Sequence, residues 1–191
     1  MARLPQVVIG PGSGLGVASL VPTADSWTAV ASEGGHVTLP ATTNNEAAAI
    51  ELIREQTGHC SAERVLSGPG LARLYVALAE LAGRNGASVT AADVTNLATQ
   101  GEPLARETLD MFFALLGTVA ADLALTLGAR GGVYIAGGIV TRFIDTFEES
   151  GFRARFEAKG RYHQYMQAVP TFLITEPLPA LRGLRSLLGY R

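Results

Sequence analysis

Two short stretches hold residue types that can do chemistry. In Glu33-Gly34-Gly35-His36 a carboxylate and an imidazole stand three positions apart. On a helix that spacing would suggest a pair of metal ligands. Two adjacent glycines, however, cost about 2 kcal/mol of helix propensity, so the segment reads as a loop and no metal site is assigned to it. From a glycine-held loop, a carboxylate accepts hydrogen bonds and an imidazole accepts or donates one, a set suited to hydroxyl groups. A plain surface turn fits the same residues. The second stretch is Gly10-Pro11-Gly12-Ser13-Gly14-Leu15-Gly16, set between the apolar runs Val7–Ile9 and Val17–Val21. Strand, glycine turn and strand let a backbone present N–H groups to a phosphate with no side chain in the way.

The familiar nucleotide loops do not fit. A dinucleotide fingerprint counted from Gly10 or Gly12 would need glycine where Leu15 or Val17 stands. A Walker loop needs a lysine beside Ser or Thr, and the chain's one lysine, Lys159, lies between Ala158 and Gly160. A nucleophile elbow on Ser13 would want glycines where Pro11 and Leu15 stand. Among the remaining candidates, Glu63 is a lone acid near the turn Ser67-Gly68-Pro69-Gly70. Gly137-Gly138 follows an apolar run, where α/β sheets bind ligands beyond the carboxyl end of a strand, although a tight strand-to-helix turn would use the same pair. His59 and His163 have no motif around them. Arg153, Arg155, Lys159 and Arg161 read as a solvated basic face.

Composition narrows the class. The 191 residues are 48% hydrophobic, enough for one substantial core. With 15 basic against 17 acidic residues and no basic cluster, neither nucleic acid nor an anionic membrane is an expected partner. The apolar run Met111–Ala121 is too short to span a bilayer and reads as buried helix. One cysteine, Cys60, forbids an internal disulfide, and no signal peptide opens the sequence, so a cytoplasmic location is expected. A mean hydropathy of +0.24 is high without a membrane segment and suggests an apolar face that something covers.

The elements that must position these residues follow from pattern. Gln6–Ile9, Gly16–Val21 and Ser26–Ala31 form an antiparallel meander. Thr43 with Glu46 makes a capping box for a helix over 47–56 that Gly58 ends, Ser61 can cap a short helix, and Leu71, Leu74, Tyr75 and Leu78 repeat at helical spacing as far as Gly83. Thr90 with Asp93 starts another helix. Glu102–Leu127 reads as one long helix of ~39 Å. Val133–Ala136 is a buried strand, Thr141–Ser150 a helix, Thr171–Thr175 the last strand and Leu181–Leu188 the last helix. The order β-β-β-α-β-α-β-α, with a helical insertion between positions 58 and 101, resembles a ribonuclease-H-like lobe of the actin-like ATPase type, an α/β fold.

Four segments together, the glycine loop, Glu33-Gly34-Gly35-His36, the string from Ser61 to Gly70 and the string from Gly131 to Ile139, resemble the large lobe of bacterial ATP-dependent glucokinases. The resemblance runs from about Val7 to Gly189 and implies phosphoryl transfer from ATP, with Mg²⁺, to glucose. It makes Gly12, Ser13 and Gly14 the second phosphate loop, with a serine hydroxyl where threonine is expected. It makes Glu33, His36 and Glu63 the sugar-binding residues, and Gly137 and Gly138 the adenosine-side turn. The cysteine cluster of the related repressor-type sugar kinases has no counterpart, because only Cys60 is present.

The same resemblance implies a first lobe with an Asp-x-Gly-Gly-Thr loop and an Asn-Asp pair whose aspartate is the base; neither motif occurs here. None of Asp25, Asp93, Asp110, Asp122 and Asp145 lies in a motif that could replace it. The expectation is therefore that residues 1–191 are a single large C-terminal lobe without the small N-terminal one, close to inactive alone and dimeric. A non-catalytic sugar- or nucleotide-sensing module is the alternative.

Overall fold

A computed structural model describes residues 3–84 and 88–187. Strands β1 (Gln6–Pro11), β2 (Leu15–Pro22) and β3 (Trp27–Ser32) form the meander, the first two longer than their expected runs and the third shifted by one residue. Two later strands, β4 (Val133–Ile135) and β5 (Thr171–Leu173), complete a sheet of order β3-β2-β1-β4-β5. β1 is antiparallel to β2 and parallel to β4, and β4 is parallel to β5. The central strand β1 alternates, with Val7, Ile9 and Pro11 buried. β3, an edge strand, is exposed along its whole length.

The helices are α1 (Asn44–Thr57), α2 (Ala62–Val65), α3 (Gly68–Leu81), α4 (Ala91–Thr99) and α5 (Pro103–Leu127). After β4 come α6 (Gly138–Arg142), α7 (Ile144–Glu149), α8 (Phe152–Glu157) and α9 (His163–Gln167), and α10 (Pro179–Leu187) follows β5. The expected order of core elements and insertion is present. Both capping boxes form, Thr43 with Glu46 and Thr90 with Asp93. Glu102 caps α5 and Gly128, in the left-handed region, stops it.

α5 is the spine of the core. Phe112, Phe113, Leu115 and Leu116 are fully buried because α3, α4, α8 and β1 surround the helix. By length and composition the whole helix could cross a membrane, yet about two thirds (67%) of its most apolar window is buried within the fold, as in a core helix. At Gly117 any Cβ would overlap the carbonyl of Phe152, so α5 and α8 approach closely there.

Three local expectations need correction. Gly68-Pro69-Gly70 is not a turn but the first turn of α3, with Ser67 as N-cap and proline where its missing N–H does no harm. The helix expected over 141–150 breaks at Phe143 into α6 and α7. Of the basic run, Arg161 is exposed as expected, but Arg153, Arg155 and Lys159 are not a solvated face. Arg155 pairs at 2.7 Å with Glu46, which is 2% exposed, and Lys159 pairs at 2.5 Å with Asp122. Arg153 donates to the carbonyls of Met166, Gln167 and Val169. These side chains fasten α8 to α1, α5 and the chain before β5. Burial pushes the Glu46 carboxyl up, but the Thr42 N–H and Arg155 outweigh it and hold it below the ordinary carboxylate range. Leu188, the expected end of the last helix, lies outside the described residues.

Candidate active site

Both glycine turns leave the carboxyl ends of neighbouring parallel strands. The loop from Gly12 to Gly14 follows β1, and Gly137 follows β4 after the Ala136 N–H donates to Ile9 C=O. That is the edge at which open α/β sheets hold ligands. Gly137 has φ 109°, and a Cβ there would collide with the Pro11 carbonyl. Glycine is therefore required for the two turns to lie side by side.

The acid and imidazole groups meet on the other side of β2. Glu33 opens a 3-10 turn, Gly34–His36. A Cβ at Gly34 would crowd Val17, and one at Gly35 would strike the Leu15 carbonyl, so the paired glycines let this turn lie flat on β2. Downstream, Ala62 N–H donates to Val37 C=O and Leu39 N–H to Cys60 C=O, which carries α2 alongside. Glu63 in α2 consequently reaches the turn. His36 Nε2 lies 3.7 Å from Glu33 Oε2 and 3.9 Å from Glu63 Oε1. Glu33 is exposed, while Glu63 is only 34% exposed. The three residues, separated by as many as thirty positions, thus converge.

Glu63 also holds the glycine loop. Its Oε2 accepts the Leu15 N–H at 2.8 Å, and a Cβ on Gly14 would lie 2.5 Å from the same oxygen. One carboxylate therefore faces the imidazole with one oxygen and the loop with the other. The loop is anchored elsewhere by Gly68 N–H donating to Gly12 C=O at 2.7 Å. Gly12 N–H is itself consumed by Gly14 C=O at 2.8 Å. The Ser13 and Gly14 N–H groups have no acceptor in the protein among the described residues, so two of the three expected loop residues offer amides.

On the far side of the loop is a cleft of about 860 Å³ whose lining includes Gly12, Ser13, Pro69, Val89, Gly138 and Ile139. The loop is thus a partition, with Gly12 and Ser13 toward the cleft and Gly14 toward Glu63. Two lining residues, Gln56 and Arg73, belong to no motif and were not found from sequence. Their spacing carries no signal; the packing of α1 and α3 puts them there. The aspartates stand apart: Asp25 is exposed in the turn between β2 and β3, Asp93 caps α4, Asp122 pairs with Lys159, and Asp110 and Asp145 line a separate cleft with Arg106 and Arg142. Among the described residues no three His, Cys, Asp or Glu side chains form a metal-binding group.

The glucokinase family profile matches residues 2–189. A glucokinase of Paramagnetospirillum magneticum is 53% identical over 188 residues, covering 97% of this chain and 59% of its own. The crystal structure of a glucokinase from an Antarctic psychrotroph superposes with a TM-score of 0.94 at 41% identity, over 100% of this chain and 60% of that one. At 23% identity, a glucokinase of Balamuthia mandrillaris shares the fold, with a TM-score of 0.78 over 93% of this chain and 51% of its own. The chain thus spans about 59% of the length of the curated relative named here. With the profile matched almost end to end and the sheet order, glycine turns and acid–imidazole cluster in place, this chain belongs to the glucokinase family.

Proposed function

We propose that this chain forms the sugar- and nucleotide-binding lobe of a glucokinase, which transfers the γ-phosphoryl group of ATP to a hydroxyl of glucose. The observation that carries the reading is Glu63, whose two oxygens face His36 and the glycine loop. In this reading Glu33, His36 and Glu63 hold sugar hydroxyls, since carboxylates accept from them and the imidazole supplies an acceptor or a donor. The Ser13 and Gly14 amides hold phosphate oxygens, and Gly137-Gly138 lets adenosine approach the backbone. The Mg²⁺ that accompanies ATP would be placed largely by the second lobe, since among the described residues no three His, Cys, Asp or Glu side chains gather to hold it.

Positioning and charge neutralisation are most of what phosphoryl transfer requires, together with a base in reach of the attacking hydroxyl. Neither Asp93 nor Asp122 is free for that role, Asp110 and Asp145 line the other cleft, and Asp25 lies exposed in the turn between β2 and β3. The base is therefore assigned to a second lobe, within the part of the relatives' length that this chain does not match. Exposed Leu178, Leu181 and Leu184 on and before α10 offer that lobe an apolar surface. Exposed Trp27 and Val30 on edge strand β3 suit self-association as a homodimer. A reduced, buried Cys60 accords with a cytoplasmic location.

The test is paired. Calorimetry on residues 1–191 is expected to show glucose binding that E63Q and H36A each weaken by about tenfold or more, the loss of a hydrogen bond to a charged group or a ring. A coupled assay for ADP release is expected to show little turnover by the chain alone. Turnover at a rate typical of kinases would overturn the assignment of the base, and undiminished glucose binding by both variants would overturn the sugar site.

A further inference from the structure

Arg73 is the only charged side chain among the described residues lining the cleft, and the mechanism above gives it no task. The other lining side chains are neutral, polar at Ser13, Gln56 and Thr90 and apolar at Val76 and Ile139. Among the described residues no carboxylate pairs with it, and its single hydrogen bond, to Arg64 C=O, is long at 3.4 Å. Most of its N–H donors are thus uncommitted. It is half-buried, so part of its hydration is already lost.

Position in the helix gives the direction of reach. Arg73 stands five residues beyond Gly68, which is ~7–8 Å along the axis, and Gly68 N–H is bonded to Gly12 C=O. Helical side chains lean toward the N-terminus of their helix. Arg73 accordingly leans toward the start of α3, with its Nη1 3.4 Å from Arg64 C=O, and it shares the cleft with Gly68 and with Ser13, whose amide lacks an acceptor among the described residues.

We infer that Arg73 is a phosphate-binding residue, its guanidinium taking oxygens of a nucleoside triphosphate in this cleft. The inference rests on the proposal that the cleft takes ATP. A guanidinium matches phosphate geometry bidentately and remains charged at every working pH. With no other cation among the described residues of the cleft, it supplies the charge that backbone amides supply only in part.

Residues 1–191, wild type and the variants R73Q and R73K, would be titrated with ATP, ADP, AMP and adenosine at low and high salt, with thermal melting of each. Wild type is expected to bind more tightly as phosphates are added, and R73Q to lose about 10- to 100-fold for ATP while adenosine affinity is unchanged. R73K keeps the charge and should retain part of the affinity, and the salt dependence of ATP binding should shrink in R73Q. If R73Q binds ATP as wild type does, the role of Arg73 is wrong and the cleft reading stands. If R73Q loses ATP and adenosine equally with a lowered melting temperature, Arg73 only tethers α2 to α3 and the inference fails. If wild type binds no nucleotide, the cleft reading and the inference fall together.

Discussion

Gly14→Ala isolates the link between the glycine loop and the acid–imidazole cluster. The added methyl would lie 2.5 Å from Glu63 Oε2 and 3.2 Å from its Cδ. Gly14 does not have positive φ, so the backbone accepts alanine and the whole effect falls on the glutamate. The carboxylate can swing away, but only by releasing the Leu15 N–H it accepts at 2.8 Å. A hydrogen bond to a charged group contributes about 1.5–3 kcal/mol. Since Glu63 is 34% exposed, water replaces part of that, and about 1–2 kcal/mol is the reasonable loss. If the displaced oxygen must return to receive a sugar hydroxyl, glucose affinity falls by about 5- to 30-fold. Titration calorimetry of G14A against wild type measures this directly. Gly12→Ala is the control, because a Cβ there meets nothing within 4 Å and should leave glucose affinity unchanged. Equal affinity and equal melting temperature for G14A and wild type would refute the claim that Glu63 is held by the loop.

Arg155→Met leaves Glu46 buried without its partner, so a destabilisation of about 3–5 kcal/mol is expected, which denaturant titration would show. Because the Glu46 carboxyl is held below its ordinary value of 4.5, it stabilises the fold above that pH, and the stability is lost as pH falls through the depressed value. Chemical denaturation between pH 6 and pH 3 should show this loss, and E46Q should flatten it. Gly117→Ala drives a methyl into the Phe152 carbonyl, a backbone group that cannot rotate aside, and should cost about 1–3 kcal/mol, read as a lower denaturation midpoint. Cys60 is 2% exposed and burial pushes its thiol up, so a thiol reagent should react only on unfolding; rapid reaction of the native chain would contradict its placement.

Local signals fixed most of the elements. The capping boxes at Thr43 and Thr90, the all-round apolar α5 and its stop at Gly128 are short-range effects, and each formed as its residues dictate. The charge balance likewise follows from composition alone. Sequence could say that Glu33 and His36 share a loop and that Gly12–Gly14 form another, since neighbours along the chain cannot be far apart. Tertiary structure decided what those loops face. The glycines at 34 and 35 were legible only as helix breakers, whereas their reason is the surface of β2 beneath them. Glu63 gained its second task because the chain crossing at Val37–Ala62 set α2 beside the loop. The basic run looked solvated because Glu46 and Asp122, far away in sequence, were not yet beside it. Contacts across such separations leave no periodic trace; they come into being when helices pack on a sheet, and that packing also placed Arg73 in the cleft.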